Sequence, residues 1–150
     1  MIPVATPGTL IQIARAGAVQ GRLSPDGRYI AYSSDETGRN EVYVQALPPE
    51  TSRWLVSSNG GAQPMWRGDG KELFFIANSE VMAAAVRTSP RFSSEAAVPL
   101  FRVNVHGAHA SVRNQFAVTP DGQRFLVSAI EEDVAPISVI VNWAAALDKR

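Results

Sequence analysis

Three carboxylates stand before glycine in closely similar surroundings: Asp26 in SPDGRYIAY, Asp69 in RGDGKELFF and Asp121 in TPDGQRFLV. Brought together, such a set could move protons or hold a cation. Their fixed place ahead of Gly27, Gly70 and Gly122 implies a different use. Asp can hydrogen-bond its own backbone, and Gly takes the positive φ that closes a tight turn. All three aspartates are therefore expected to be turn residues on separate units of the fold.

The other candidates are weaker. His106 and His109 form an HxxH pair that could ligate zinc from one face of a helix. Gly107 and the small residues around them place the pair in a loop, with no companion cysteine or acidic ligand. SDETGRNE, residues 34–41, lacks the alternating ligands and terminal carboxylate of a calcium loop. Asn59-Gly60-Gly61 lacks the Lys-Ser/Thr that would complete a phosphate cradle. No serine stands in a GxSxG elbow, so a Ser-His-Asp set has no support. Trp54, Trp66 and Trp143 lie in strand-like segments and are expected in the core. No catalytic, cofactor-binding or metal-ligating residue is assigned, and no cofactor is expected.

The joints repeat at a spacing that defines the elements around them. Asp26, Asp69 and Asp121 are 43 and 52 residues apart. Before each joint lies a short β-rich run (VQGRLS, QPMWR, NQFAVT) and after it another (RYIAYSS, KELFFIAN, QRFLVSA). EVYVQAL and RWLVSS follow the first hairpin, VMAAAVR and LFRVNV the second, and ISVIVNW the third. Four short strands in each repeat of roughly 40 to 50 residues predict an all-β chain of antiparallel β-propeller blades. The blades are expected at about 18–58, 62–105 and 114–143, the last completed in one arrangement by a strand at 9–15. WAAALDKR is expected to form a short C-terminal helical turn. Two departures carry expectations of their own. Gly68 replaces proline in the middle joint, predicting a looser turn, and the small side chains of VMAAAVR predict looser packing of the second blade.

Bulk composition narrows the partners. Fourteen basic residues balance fourteen acidic ones, so no global field attracts nucleic acid or an anionic surface. Cysteine is absent, which excludes disulfides and thiolate chemistry. No secretory signal is apparent, and the longest apolar run, 137–147, is interrupted by Asn142 and too short to span a bilayer.

SPDGRYIAYSSDETGRNEVYV resembles the repeats of TolB-like periplasmic propellers. The order of that segment, then NGGAQPMWRGDGKELFFIA, TPDGQRFLV and ISVIVNWAAALDKR, resembles the C-terminal propeller part of bacterial eukaryotic-like receptor serine/threonine kinases, over about residues 18–150. With no assembled nucleophile, metal or phosphate motif in the sequence, a noncatalytic scaffold for protein interaction or ligand sensing is expected, and the resemblance implies a periplasmic or extracytoplasmic setting. Any kinase domain, or the hydrolase domain of a prolyl-oligopeptidase-like parent, would lie outside this chain, which has no GxGxxG, HRD or DFG motif. Propellers close with ~4 to 8 blades. Three blades are thus expected to be a fragment, or a half-propeller whose two copies close a six-bladed ring. The protein partner or small ligand is not specified by the residues.

Overall fold

The computed structural model describes residues 12–13, 17–49, 52–105, 113–128 and 137–141, the last segment by its backbone. Among these residues twelve strands and no helix are formed, and every strand pairing is antiparallel. The strands fall into three sheets that follow the chain. The first contains β1 (Val19–Leu23), β2 (Tyr29–Ser34), β3 (Glu41–Ala46) and β4 (Arg53–Leu55), in that order.

The second contains β5 (Ala62–Trp66), β6 (Glu72–Ala77) and β7 (Glu80–Arg87), with the outer position shared by β8 (Ser93–Ser94) and β9 (Val98–Arg102). β9 pairs with one end of β7 and β8 with the other. The third contains β10 (Phe116–Val118), β11 (Arg124–Ser128) and β12 (Ile137–Val141). Successive sheets meet at their first strands, since β5 lies against both β1 and β10. That is the radial arrangement of propeller blades, and the chain is an all-β partial propeller.

Alternation along each second strand builds the core between blades. In β6, Leu73, Phe75 and Ala77 join Tyr29, Ala31, Val42 and Val44 of the first blade in one buried cluster. Phe74 and Ile76 point the other way and join Phe116, Phe125 and Val127 of the third. Phe74 and Phe125 are both fully buried and pack edge to face, 5.1 Å between ring centroids. Each such ring contributes roughly 1.5–3 kcal/mol by leaving water.

The central blade is not loosely packed, contrary to the expectation drawn from VMAAAVR. Ala83 and Ala84 are buried, one in each cluster, and are paired across the sheet with Phe74 and Leu73. Small side chains on β7 give their large neighbours room on both faces. Residues 88–97 carry β8 and place Phe92 in the junction of the first two blades, against Tyr29, Trp54 and Trp66.

Several expectations fall outside the described residues: the His106/His109 loop, Trp143 and the C-terminal helical turn. Of TLIQIAR, Gln12 and Ile13 are described, and neither is in a strand. No helix among the described residues is long and apolar enough to cross a membrane.

Candidate functional site: an axial amide ladder and two loop rims

The three joints share one geometry. Gly27, Gly70 and Gly122 adopt φ of 69°, 71° and 73°. Their N–H groups donate to the carbonyls of Ser24, Arg67 and Thr119 at 2.8, 2.9 and 2.8 Å. The aspartates accept from the backbone N–H two residues on: Arg28 to Asp26 at 3.1 Å, Lys71 to Asp69 at 3.0 Å and Gln123 to Asp121 at 3.0 Å. Ser24 and Thr119 also donate their hydroxyls to Asp26 and Asp121. The structure keeps the three carboxylates apart, each closing its own turn.

Their ionisation follows from these bonds. Burial alone would raise the Asp26 carboxyl. Hydrogen bonds from Ser24 and Arg28, with the Arg28 charge at 2.9 Å, outweigh burial and hold it below the ordinary value of 3.8. Asp121 is lowered chiefly by the Thr119 hydroxyl and then by the Gln123 N–H.

The middle joint is as closed as the other two, which corrects the expectation of a looser turn. Gly68 stands where the others have Pro25 and Pro120, and a Cβ there would lie 2.7 Å from the Pro120 carbonyl oxygen. Its N–H, which proline would lack, donates to that oxygen at 2.9 Å. Glycine is therefore required by a tie between joints of neighbouring blades. At the preceding junction Arg28 reaches the Thr88 carbonyl at 2.9 Å, and the Trp66 indole donates to the Arg22 carbonyl at 3.0 Å. The joints and the 88–92 loop thus form one rim.

The opposite rim is organised by a buried carboxylate. Glu41 is 2% exposed. It accepts from Arg39 Nε at 2.5 Å, from the Gly60 N–H at 3.1 Å and from the Ser57 hydroxyl. Asn59-Gly60-Gly61, considered above as a phosphate cradle, is a loop held on this carboxylate; Gly61 N–H donates to the Asn40 carbonyl at 2.9 Å. Arg39 also reaches Asn59 and the Ser58 carbonyl, and Asn78 reaches the Asn59 carbonyl. Segment 35–39, within SDETGRNE, is exposed on this rim.

Between the rims, along the first strands, runs a feature that sequence reasoning missed. Gln20 and Gln63 have φ of 59° and 61°, at breaks in the β1–β2 and β5–β6 registers. Such bulges re-aim a side chain. The Gln20 side-chain oxygen accepts from the Ser33 hydroxyl at 2.8 Å and from the Gln63 N–H at 2.9 Å. The Gln63 side-chain oxygen in turn accepts from the Gln115 N–H at 2.5 Å, while its amide group donates to the Gln115 side chain at 2.9 Å. Each blade's glutamine thus receives the next blade's backbone. The signal was present: Gln20, Gln63 and Gln115 each stand six residues before the joint's aspartate.

The outward faces of the end blades complete the surface. On the first blade, Ile30 and Tyr32 line a cleft of about 300 Å³ with Ile13, Val19 and Gln20. Beside it Tyr32 stacks on Tyr43 at 5.9 Å, and the Arg53 guanidinium lies 5.2 Å from the Tyr43 ring centre while pairing with Glu36. Burial pushes the Tyr32 hydroxyl up against the opposing effect of Arg53. On the third blade Leu126 is 44% exposed, beside a cleft of about 400 Å³ lined by Ala117, Thr119 and Arg124.

Comparison with known proteins agrees with this architecture. The chain is similar to the crystal structure of TolB from Acinetobacter baumannii, with a TM-score of 0.60 at 16% identity, over 81% of this chain and 29% of that one. It is also similar to oligogalacturonate lyase from Vibrio parahaemolyticus, with a TM-score of 0.51 at 11% identity, over 77% of this chain and 31% of that one. The chain thus spans about a third of the length of these structures and has the fold of a partial TolB-like propeller. No family model matches it, and no curated protein does.

Proposed function

We propose that this chain is a noncatalytic propeller scaffold that binds a protein or senses a small ligand through its rims, with a second copy as its first partner. One observation carries the reading: Asp26, Asp69, Asp121 and Glu41, which could do chemistry, are spent as backbone and loop acceptors that rigidify the rims. Rigid frames that present exposed loops suit recognition. One structural neighbour is by name a lyase, but at 11% identity that likeness carries the fold alone.

A photo-crosslinking residue placed at Thr37 on one rim, or at Lys71 on the other, tests the scaffold role in cell-envelope extract. A discrete adduct from one rim and not the other is expected. Turnover by the purified chain that is lost in Asp26→Asn or Asp69→Asn would overturn the noncatalytic reading.

The sequence resemblance over residues 18–150 favours a second reading, in which the propeller is the extracytoplasmic part of a bacterial receptor-type serine/threonine kinase. The coding frame upstream decides it: HRD and DFG motifs followed by an apolar span are expected, and their absence removes the kinase.

A further inference from the structure

We propose that Asn59 is a site of self-modification, at which the fold drives the side-chain amide to condense with the Gly60 nitrogen and reopen as an aspartyl or isoaspartyl linkage. The inference goes beyond the scaffold role and does not rest on it. Of the six asparagines in the chain Asn59 alone precedes glycine, so no side chain hinders the approach of the following nitrogen to its amide carbon. Asn59 is also exposed, which gives water access to the product.

The surroundings supply the rest. The Gly60 N–H is given to the buried Glu41 carboxylate, 3.1 Å from each oxygen. That acceptor stands where the nitrogen must lose its proton to become a nucleophile. Arg39 bridges the two reacting groups: its Nε donates to Glu41 at 2.5 Å, Nη1 to the Asn59 side-chain oxygen at 3.2 Å and Nη2 to the Ser58 carbonyl at 3.3 Å. Negative charge develops on that side-chain oxygen as the nitrogen adds, and a guanidinium already stands beside it. Glu41 is fixed in turn by the Ser57 hydroxyl, itself the acceptor of the Val42 N–H at 2.8 Å. One ion pair thus places a cation at the electrophile's oxygen and an anion at the nucleophile's proton before the reaction begins.

The step balances within the loop. The Gly60 nitrogen bonds to the Asn59 amide carbon, the carbon–nitrogen bond of the side-chain amide breaks, and the proton displaced from Gly60 leaves with the ammonia. Water then opens the cyclic imide. Attack at the side-chain carbonyl gives the aspartyl form, and attack at the backbone carbonyl gives the isoaspartyl form. Both add a negative charge beside Arg39, in a chain whose charges otherwise balance. The second also turns the Asn59 carbonyl, which Asn78 of the next blade reaches at 3.4 Å, from a peptide group into a carboxylate. The rim that carries 35–39 therefore exists in two forms.

The test compares the folded chain with an unstructured peptide of residues 54–66 in the same neutral buffer, following ammonia release, isoelectric point and peptide maps. Asn59 should react about tenfold faster in the folded chain than in the peptide, a modest part of what a placed base contributes. The other asparagines should stay intact. Arg39→Leu changes an exposed side chain and should slow the folded chain by about tenfold, with near-ultraviolet circular dichroism showing the blades intact. Arg39→Lys, which keeps the charge, should restore part of the rate. A folded chain that reacts more slowly than the peptide overturns the proposal, as does a folded Arg39→Leu variant that reacts at the unaltered rate.

Discussion

Asp26 shows how a residue suited to acid–base chemistry is committed instead to a turn. Its folded carboxyl lies below the ordinary 3.8, as does that of Asp121. A lowered carboxyl contributes stability that is present above the unfolded value and lost as pH falls through the folded one. Urea midpoints should therefore hold from pH 7 down to about 4.5 and fall below about pH 4. Asp26→Asn and Asp121→Asn should each flatten that fall, and an unchanged acid limb in the double variant would contradict the assignment.

Gly68 makes the companion case, in which the absence of a side chain is the functional property. Gly68→Pro restores the commoner joint sequence, yet it removes the N–H given to Pro120 and places atoms within 3 Å of that residue. A loss of about 2–4 kcal/mol is expected in chemical denaturation, even though the local turn chemistry becomes more regular.

Among the elements, the first strands set how blades are joined. Gln63→Leu keeps the volume of a fully buried side chain but removes the acceptor of the Gln115 N–H and the donor to its side chain. Leaving such groups without their partner costs about 2–4 kcal/mol, and the loss should appear as lowered stability with no change in β content by far-ultraviolet circular dichroism. This ladder also marks the limit of sequence reading. The joints were legible because Asp-Gly closes a turn within four residues, and strand identity was legible because aromatic and branched residues cluster between joints. Gln20 and Gln63 carry no local signal of that kind. Their role comes from partners 43 and 52 residues away in the chain and from a left-handed backbone that glutamine does not favour. Phe92 escaped for a related reason: it lies in a loop outside the strand pattern, and only packing reveals it. The error over β7 arose from judging alanines alone, without the phenylalanine and leucine that pair with them.

At the scale of the whole molecule, the three blades are unequal neighbours. Among the described residues, the central blade contributes to both buried clusters, and each end blade to one. Repeat arrays of this kind gain stability from each unit and from each junction. The first junction has an aromatic from a loop outside the strands, Phe92, wedged against Tyr29, Trp54 and Trp66, whereas the rings of the second, Phe74, Phe101, Phe116 and Phe125, all come from strands. That wedge gives the protein a direction of failure. Under native conditions the amides of β10 and β11 should exchange with solvent before those of β2 and β3, with β6 last. Phe92→Ala should narrow the interval between the two ends, and equal exchange at both ends in the unaltered protein would contradict it. A molecule with such a weak end can release its third blade while the first two stay locked.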